Sequence, residues 1–166
     1  MIGVGINLAD LSKKNVEWIY ERNEIMKKYK VGFICGFFDI LHDGHIDVLR
    51  QAKQQCEYLI VAVGTDEFMK IRKGRNSVLS YEQRKEIVSA IRYVDQVVPE
   101  INLDKIAAYH KYNFNVMFSG ADHEFELHYI ETAKKLKKLG ADTIYIPRNR
   151  NISSTFIREY ILNNFK

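Results

Sequence analysis

Leu59-Ile60-Val61-Ala62-Val63, closed by Gly64-Thr65, is the stretch on which the fold turns. Five consecutive apolar residues, three of them the β formers Ile60, Val61 and Val63, are too short a run for a core helix. The Gly-Thr pair then ends the run, so the segment reads as a strand buried on both faces. Strands of that kind belong to parallel sheets covered by helices on either side. Working outward, similar runs recur at Val31 to Cys35, Val94 to Val98, Val116 to Phe118 and Thr143 to Ile146. Helical patterns lie between and after them, at Gly44 to Gln54, Tyr81 to Ile91, Asp104 to Lys111, Phe125 to Leu139 and Ser154 to Asn163. Strands alternating with helices predict an α/β fold, a parallel sheet with helices on both faces.

The chain has 166 residues, enough for one domain with some to spare. With 46% hydrophobic and 28% charged residues, 9 glycines and 2 prolines, it has ordinary globular composition. Disordered, collagenous and low-complexity classes are excluded. The surplus lies before Lys30, where Val16, Ile19, Tyr20, Ile25 and Met26 make a rough helical stripe between Ser12 and Lys28. The expected organisation is an N-terminal helical extension over residues 1–30, packing on the main domain or on a partner subunit, and a single domain over 31–166. Cys35 and Cys56 adjoin apolar runs and cannot form a disulfide framework, so they read as reduced thiols in a cytosolic protein. No apolar run is long enough to span a bilayer and no signal-peptide pattern opens the chain, which predicts a cytoplasmic protein without membrane insertion. On that reading the sequon-like Asn151-Ile152-Ser153 is accidental.

Twenty-five basic against 21 acidic residues leave a net charge of +4, a mild excess that favours an anionic ligand without naming it. Lys134, Lys135, Lys137 and Lys138 fall on an ordinary helix and read as its solvated face. Without a helix-turn-helix or single-strand motif, a nucleic-acid partner is not expected. Lys70-Ile71-Arg72-Lys73-Gly74-Arg75 reads instead as a basic loop placed to close over a polyphosphate. There is no G-x-x-x-x-G-K-[ST] loop, and Gly3-Val4-Gly5 lacks a third glycine and a preceding strand, so a nucleotide must bind through other means.

The richest stretch follows the first strand: Gly36-Phe37-Phe38-Asp39-Ile40-Leu41-His42-Asp43-Gly44-His45. His42 and His45, three apart and entering a helix, can face one point above the strand end. Gly44 lets backbone amides approach a phosphate closely, and imidazoles can donate to phosphoryl oxygens. A rival reading makes Asp39, His42, Asp43 and His45 metal ligands. The accompanying Lys73, Arg84, Arg148 and Arg150 supply positive charge and no second ligand cluster, so no protein-held metal is expected. The histidines of His123 to His128 are five apart and do not share a helix face, unlike those of a zinc helix. Ser80 with Gln83 has capping-box spacing, and Ser153, Ser154 and Thr155 offer caps whose free hydroxyls and amides can hold phosphate. On residues alone, nucleotidyl transfer, metal-dependent phosphohydrolysis and non-catalytic binding of phosphate or nucleic acid all remain open.

Gly36 to His45 resembles the HxGH signature of the nucleotidyltransferase superfamily, and within it the chain resembles the bacterial glycerol-3-phosphate cytidylyltransferases. The likeness extends through Gly64 to Phe68, Ser80 to Lys85, Ile91 to Asp95 and Arg148 to Thr155. It implies a Rossmann-like fold working as a homodimer, with CTP bound at the strand ends. It also implies transfer of CMP to a small phosphorylated alcohol or polyol, glycerol 3-phosphate first, with Mg2+ accompanying the CTP. An adenylyltransferase of the same superfamily is the alternative beside the phosphohydrolase. By motif position His42, His45, Lys73, Arg148 and Ser153 would be catalytic. Gly36, Phe37, Phe38, Asp39, Gly44, Arg84, Asp122, Ile152, Ser154 and Thr155 would bind nucleotide, and Lys73, Arg75 and Arg92 the acceptor. Asp95 matches another polar position of the family. Phe37 replaces a common Thr or Ser, Asn149 and Asn151 replace Thr and Gly, and Ala121 and His123 stand where the glycerol enzymes have Asp and Trp.

Overall fold

The computed structural model describes residues 27–147 and 152–165. The stripe from Ser12, the Gly3-Val4-Gly5 segment, and Arg148, Asn149, Arg150 and Asn151 therefore lie outside the described residues. Among the described residues five strands form one parallel sheet: β1 (Tyr29–Gly36), β2 (Cys56–Gly64), β3 (Gln96–Glu100), β4 (Val116–Gly120) and β5 (Asp142–Ile146), in the order β3-β2-β1-β4-β5. The helices are α1 (Asp43–Gln55), α2 (Asp66–Lys73), α3 (Tyr81–Ser89), α4 (Lys105–Tyr112), α5 (Leu127–Lys138) and α6 (Ser154–Asn164).

The apolar run that announced the sheet behaves as a doubly buried strand must. Leu59, Val61 and Val63 join Leu49 of α1 and Val88 of α3 in one core, while Ile60 and Ala62 join Leu136 of α5 and Met117 in the other. Successive side chains point to opposite faces, so one uninterrupted apolar run supplies both cores. Neighbouring strands repeat the division, with Ile34 and Phe118 in the first core and Phe33 and Met117 in the second.

The chain winds outward from β1 to β2 and β3, then returns past β1 to β4 and β5. At that reversal the connections leave the carboxyl ends of β1 and β4 in opposite directions, and a crevice opens between them where open α/β sheets bind ligands. Gly36 and Gly120, the last residues of those strands, border it.

One element differs from expectation. The basic residues Lys70, Arg72 and Lys73 do not lie in a loop but in the last turn of α2. Thr65 Oγ1 caps the start by accepting from the Phe68 N–H at 3.2 Å, Asp66 and Glu67 occupy the first turn, and Gly74 closes the helix in the left-handed region at φ 67°. Acids at the amino end and bases at the carboxyl end complement the helix dipole, so the charges that suggested a loop instead stabilise a helix. The loop proper runs from residue 74 to 80. Ser80 then starts α3 with the expected capping box, its Oγ accepting from Gln83 N–H while Gln83 Oε1 accepts from Ser80 N–H. No helix of the described residues is long and apolar enough to cross a membrane.

Candidate active site

The turn between β1 and α1 sets the site. Phe38 takes the left-handed conformation, φ 52°, which costs a bulky L residue energy and is tolerated because its ring is buried against His45, centroids 5.3 Å apart. The chain then reverses into α1 with His42 as N-cap. The His42 backbone N–H donates to His45 Nδ1 at 3.3 Å, one half of a capping box built from imidazole. An Nδ1 that accepts carries no proton, so the ring in this arrangement holds its hydrogen on Nε2. The two rings lie 3.9 Å apart at the positive end of α1. A Cβ on Gly44 would sit 2.9 Å from the His42 ring, so glycine is what lets that imidazole lie over the helix start.

A second helix start faces the first. Ser153 Oγ caps α6 by accepting from Phe156 N–H at 3.0 Å, and Ser154 Oγ donates to Ile40 O at 3.3 Å, tying α6 to the turn before α1. Between them lies a cavity of about 320 Å³. Its wall brings together the sequence-predicted Gly36, Phe37, Phe38, Asp39, His42, Gly44, His45, Lys73, Arg75, Asp122, Ile152, Ser153, Ser154 and Thr155. Two helix amino ends with half-buried imidazoles and basic side chains on one cavity wall suit a polyanion.

Arg84 and Arg92 stand elsewhere. Arg92 is exposed on the surface away from the cavity. Arg84 is fully buried, and four of its five N–H groups are committed: Nη1 to Phe37 O and to Gly64 O, both 2.6 Å, Nε to Leu79 O at 3.0 Å, and Nη2 to Asp66 Oδ1 at 2.6 Å. The expectation of a nucleotide ligand gives way to an internal staple joining the ends of β1 and β2 to the 74–80 loop. Asp66 receives Ser77 Oγ and Tyr81 N–H as well. Burial alone would raise its carboxyl, but these hydrogen bonds and the Arg84 charge outweigh it and hold the group below its ordinary value. Asp95 is likewise architectural, accepting from Leu59 N–H at 2.6 Å and from Lys53.

Among the wall residues not foreseen as ligands are Arg158, His123 and Tyr129. Arg158 lies three and four residues beyond Thr155 and Ser154, on one helix face with them, and that spacing was the available signal. Its Nη2 donates to Thr155 Oγ1 at 3.2 Å and its Nη1 to Asp39 Oδ2 at 3.3 Å. His123 stacks on Tyr129 at 4.5 Å with ring planes 10° apart, its Nδ1 2.8 Å from Glu126 Oε1. Cys35 also touches the cavity, where burial and then the Glu100 charge push its thiol up to about 12. It is therefore a neutral thiol at physiological pH, not a nucleophile.

The sheet order, the crevice and the paired helix starts define a nucleotide-binding Rossmann-like α/β protein with an HxGH site. The chain belongs to the cytidylyltransferase-like family, whose model matches residues 33–160. It is 40% identical over 127 residues to the glycerol-3-phosphate cytidylyltransferase of Bacillus subtilis (strain 168), covering 76% of this chain and 92% of that one. To the enzyme of the same name from Staphylococcus aureus it is 39% identical, over 75% and 89% of the two chains. An FAD synthase of Pyrococcus abyssi is 42% identical over 64% of this chain and 72% of its own. Among solved structures, the lipopolysaccharide core biosynthesis protein of Thermoplasma volcanium matches with a TM-score of 0.63 and 23% identity, over 75% of this chain and 99% of that one. That last likeness concerns the fold.

Proposed function

We propose that the protein transfers CMP from CTP to glycerol 3-phosphate, releasing pyrophosphate and forming CDP-glycerol. The observation that carries the reading is the His42-Gly44-His45 helix start facing the Ser153 helix start across the switch-point crevice, in a chain about 40% identical to glycerol-3-phosphate cytidylyltransferases over most of its length.

In the proposed reaction an oxygen of the acceptor phosphate attacks the α-phosphorus of CTP in line. The new P–O bond forms as the bond to the β-phosphate bridging oxygen breaks, and pyrophosphate leaves with the electron pair. The acceptor phosphate, with a second pKa near about 6, is largely ionised at neutral pH and needs no strong base. Catalysis is then alignment plus stabilisation of spreading charge. His45 Nε2–H would donate to a phosphoryl oxygen, with the His42 ring beside it. Lys73, Arg75, Arg158 and the amides and hydroxyls of Ser153 to Thr155 would bind the remaining oxygens. Mg2+ would arrive as part of the substrate, complexed to the triphosphate. Among the described residues no three His, Cys, Asp or Glu side chains group to hold a metal ion, and the Asp39 carboxylate is engaged by arginines. At Phe37, where relatives carry a hydroxyl, the ring packs on Phe68 at 5.3 Å, so the turn is held by apolar contact. We expect a homodimer, read by light scattering on the purified chain.

The test is a panel of pyrophosphate-release assays, CTP or ATP against glycerol 3-phosphate, other polyol phosphates, phosphocholine, phosphoethanolamine and sugar phosphates. CTP with glycerol 3-phosphate should give the highest kcat/KM. Preference for ATP, or release of inorganic phosphate without an acceptor, would overturn the reading.

A further inference from the structure

Asp39 is a charged side chain on the cavity wall that is itself buried, 3% exposed, and the proposed chemistry makes no use of its charge. Its Oδ2 accepts from Arg75 Nη1 at 2.9 Å and from Arg158 Nη1 at 3.3 Å, and its Oδ1 accepts from Val78 N–H at 2.6 Å. The two arginines come from distant parts of the chain, one from the loop after α2 and one from α6, and both line the cavity. Their side chains are 34% and 24% exposed, so each arginine has its guanidinium on the carboxylate and part of its side chain open. A carboxylate aimed at a triphosphate would repel it. A carboxylate turned away, holding two planar forks, removes rotamer freedom that phosphate binding would otherwise have to take from each arginine.

We infer that Asp39 is a positioning residue and not a nucleotide ligand: one buried carboxylate tethers Arg75 and Arg158 as a single preformed clamp for phosphate, so that the two arginines act as one unit. The inference deepens the nucleotidyl-transfer reading and rests on it. It predicts a split between affinity and turnover. D39N keeps an oxygen for the Val78 N–H but loses the charge that aligns the guanidiniums. Removing a negative charge from beside a polyanion site offsets the rotamer freedom that CTP binding must then take from the two arginines, so affinity changes little, whereas misplacing the clamp slows the transfer step.

The experiment measures CTP affinity by calorimetry, kcat by pyrophosphate release, and the melting temperature for wild type, D39N, R75A, R158A and the doubles D39N/R158A and R75A/R158A. In D39N, CTP affinity is expected within about threefold of wild type, and kcat lower by roughly 10- to 100-fold. Each double variant is expected to lose little more in kcat than its worse single parent. The inference is overturned if D39N turns over within about twofold of wild type. It is also overturned if D39N loses CTP affinity while turnover of the bound enzyme is kept, or if the losses in the doubles multiply. Should D39N fail to fold, the arginine pair still decides: multiplied losses in R75A/R158A refute the unit. Wild-type turnover of CTP tests the functional reading separately. If wild type releases no pyrophosphate that reading fails, and the affinity of inorganic pyrophosphate across the same variants tests the clamp by the same non-additivity.

Discussion

Replacing Arg84 by methionine separates a ligand from a staple. The side chain is 0% exposed and its guanidinium holds three backbone carbonyls and Asp66. Methionine fills much of the same volume without any of those donors. Breaking a buried charged pair by removing one partner typically costs about 3 to 5 kcal/mol. Counting each bond from a charged donor at roughly 1.5 to 3 kcal/mol would give more. The lower range governs here, because Asp66 is 41% exposed and keeps its bonds from Ser77 and Tyr81. A loss near about 4 kcal/mol in a domain of this size lowers the melting temperature by roughly 10 to 15 °C. Calorimetry should show that fall, while CTP affinity measured well below the transition stays within about threefold of wild type, since Arg84 does not reach the cavity. A variant that melts within about 3 °C of wild type yet fails to bind CTP would refute the reasoning and restore Arg84 as a nucleotide ligand.

Removing one electrostatic donor from a charge-stabilising site typically costs about 10² to 10³ in turnover, so His45→Ala and His42→Ala should each lose that much in steady-state pyrophosphate release. Near wild-type rates in either folded variant would sink their assigned roles. Gly44→Ala places a methyl 2.9 Å from the His42 ring within α1. Alanine is the better helix former by about 1 kcal/mol, so melting should hold or rise while kcat falls by roughly tenfold or more; a parallel loss of both would contradict the geometry. Acid should destabilise the fold through Asp66 and through Asp142, whose carboxyl is held low by hydrogen bonds from Lys137 and then Tyr29. Because both folded values lie below the ordinary 3.8, their contribution is present above that pH and is lost as pH falls through the lowered values. Melting curves from neutral pH down to about pH 2.5 should therefore fall less steeply for Asp66→Asn than for wild type.

The elements that are legible in sequence are those governed by neighbours a few residues apart. Strand runs, the Ser80 and Ser153 caps and the His42-Gly44-His45 helix start need only periods of 2 and 3.6 and the chemistry of helix ends. The helix α2 was missed for a local reason too: Thr65 was read as the close of β2, when its hydroxyl is the cap of the next element. The partition of the basic residues is another matter. Arg75, Arg84, Arg92 and Arg158 carry the same guanidinium, and motif position made the first three equivalent candidates for ligand contact and passed over the fourth. Asp39 and Arg158 are 119 residues apart in the chain, and Phe37 and Arg84 are 47 apart. Which guanidinium is spent inside the core and which is held open at the cavity depends on how β1 registers between β2 and β4 and where that brings α3 and α6. The sequence by itself determined a parallel α/β sheet, a phosphate-seeking helix start and the family. The tertiary structure alone decided which charges line the cavity, because a hydrogen bond between distant residues exists only once the strands that carry them are paired.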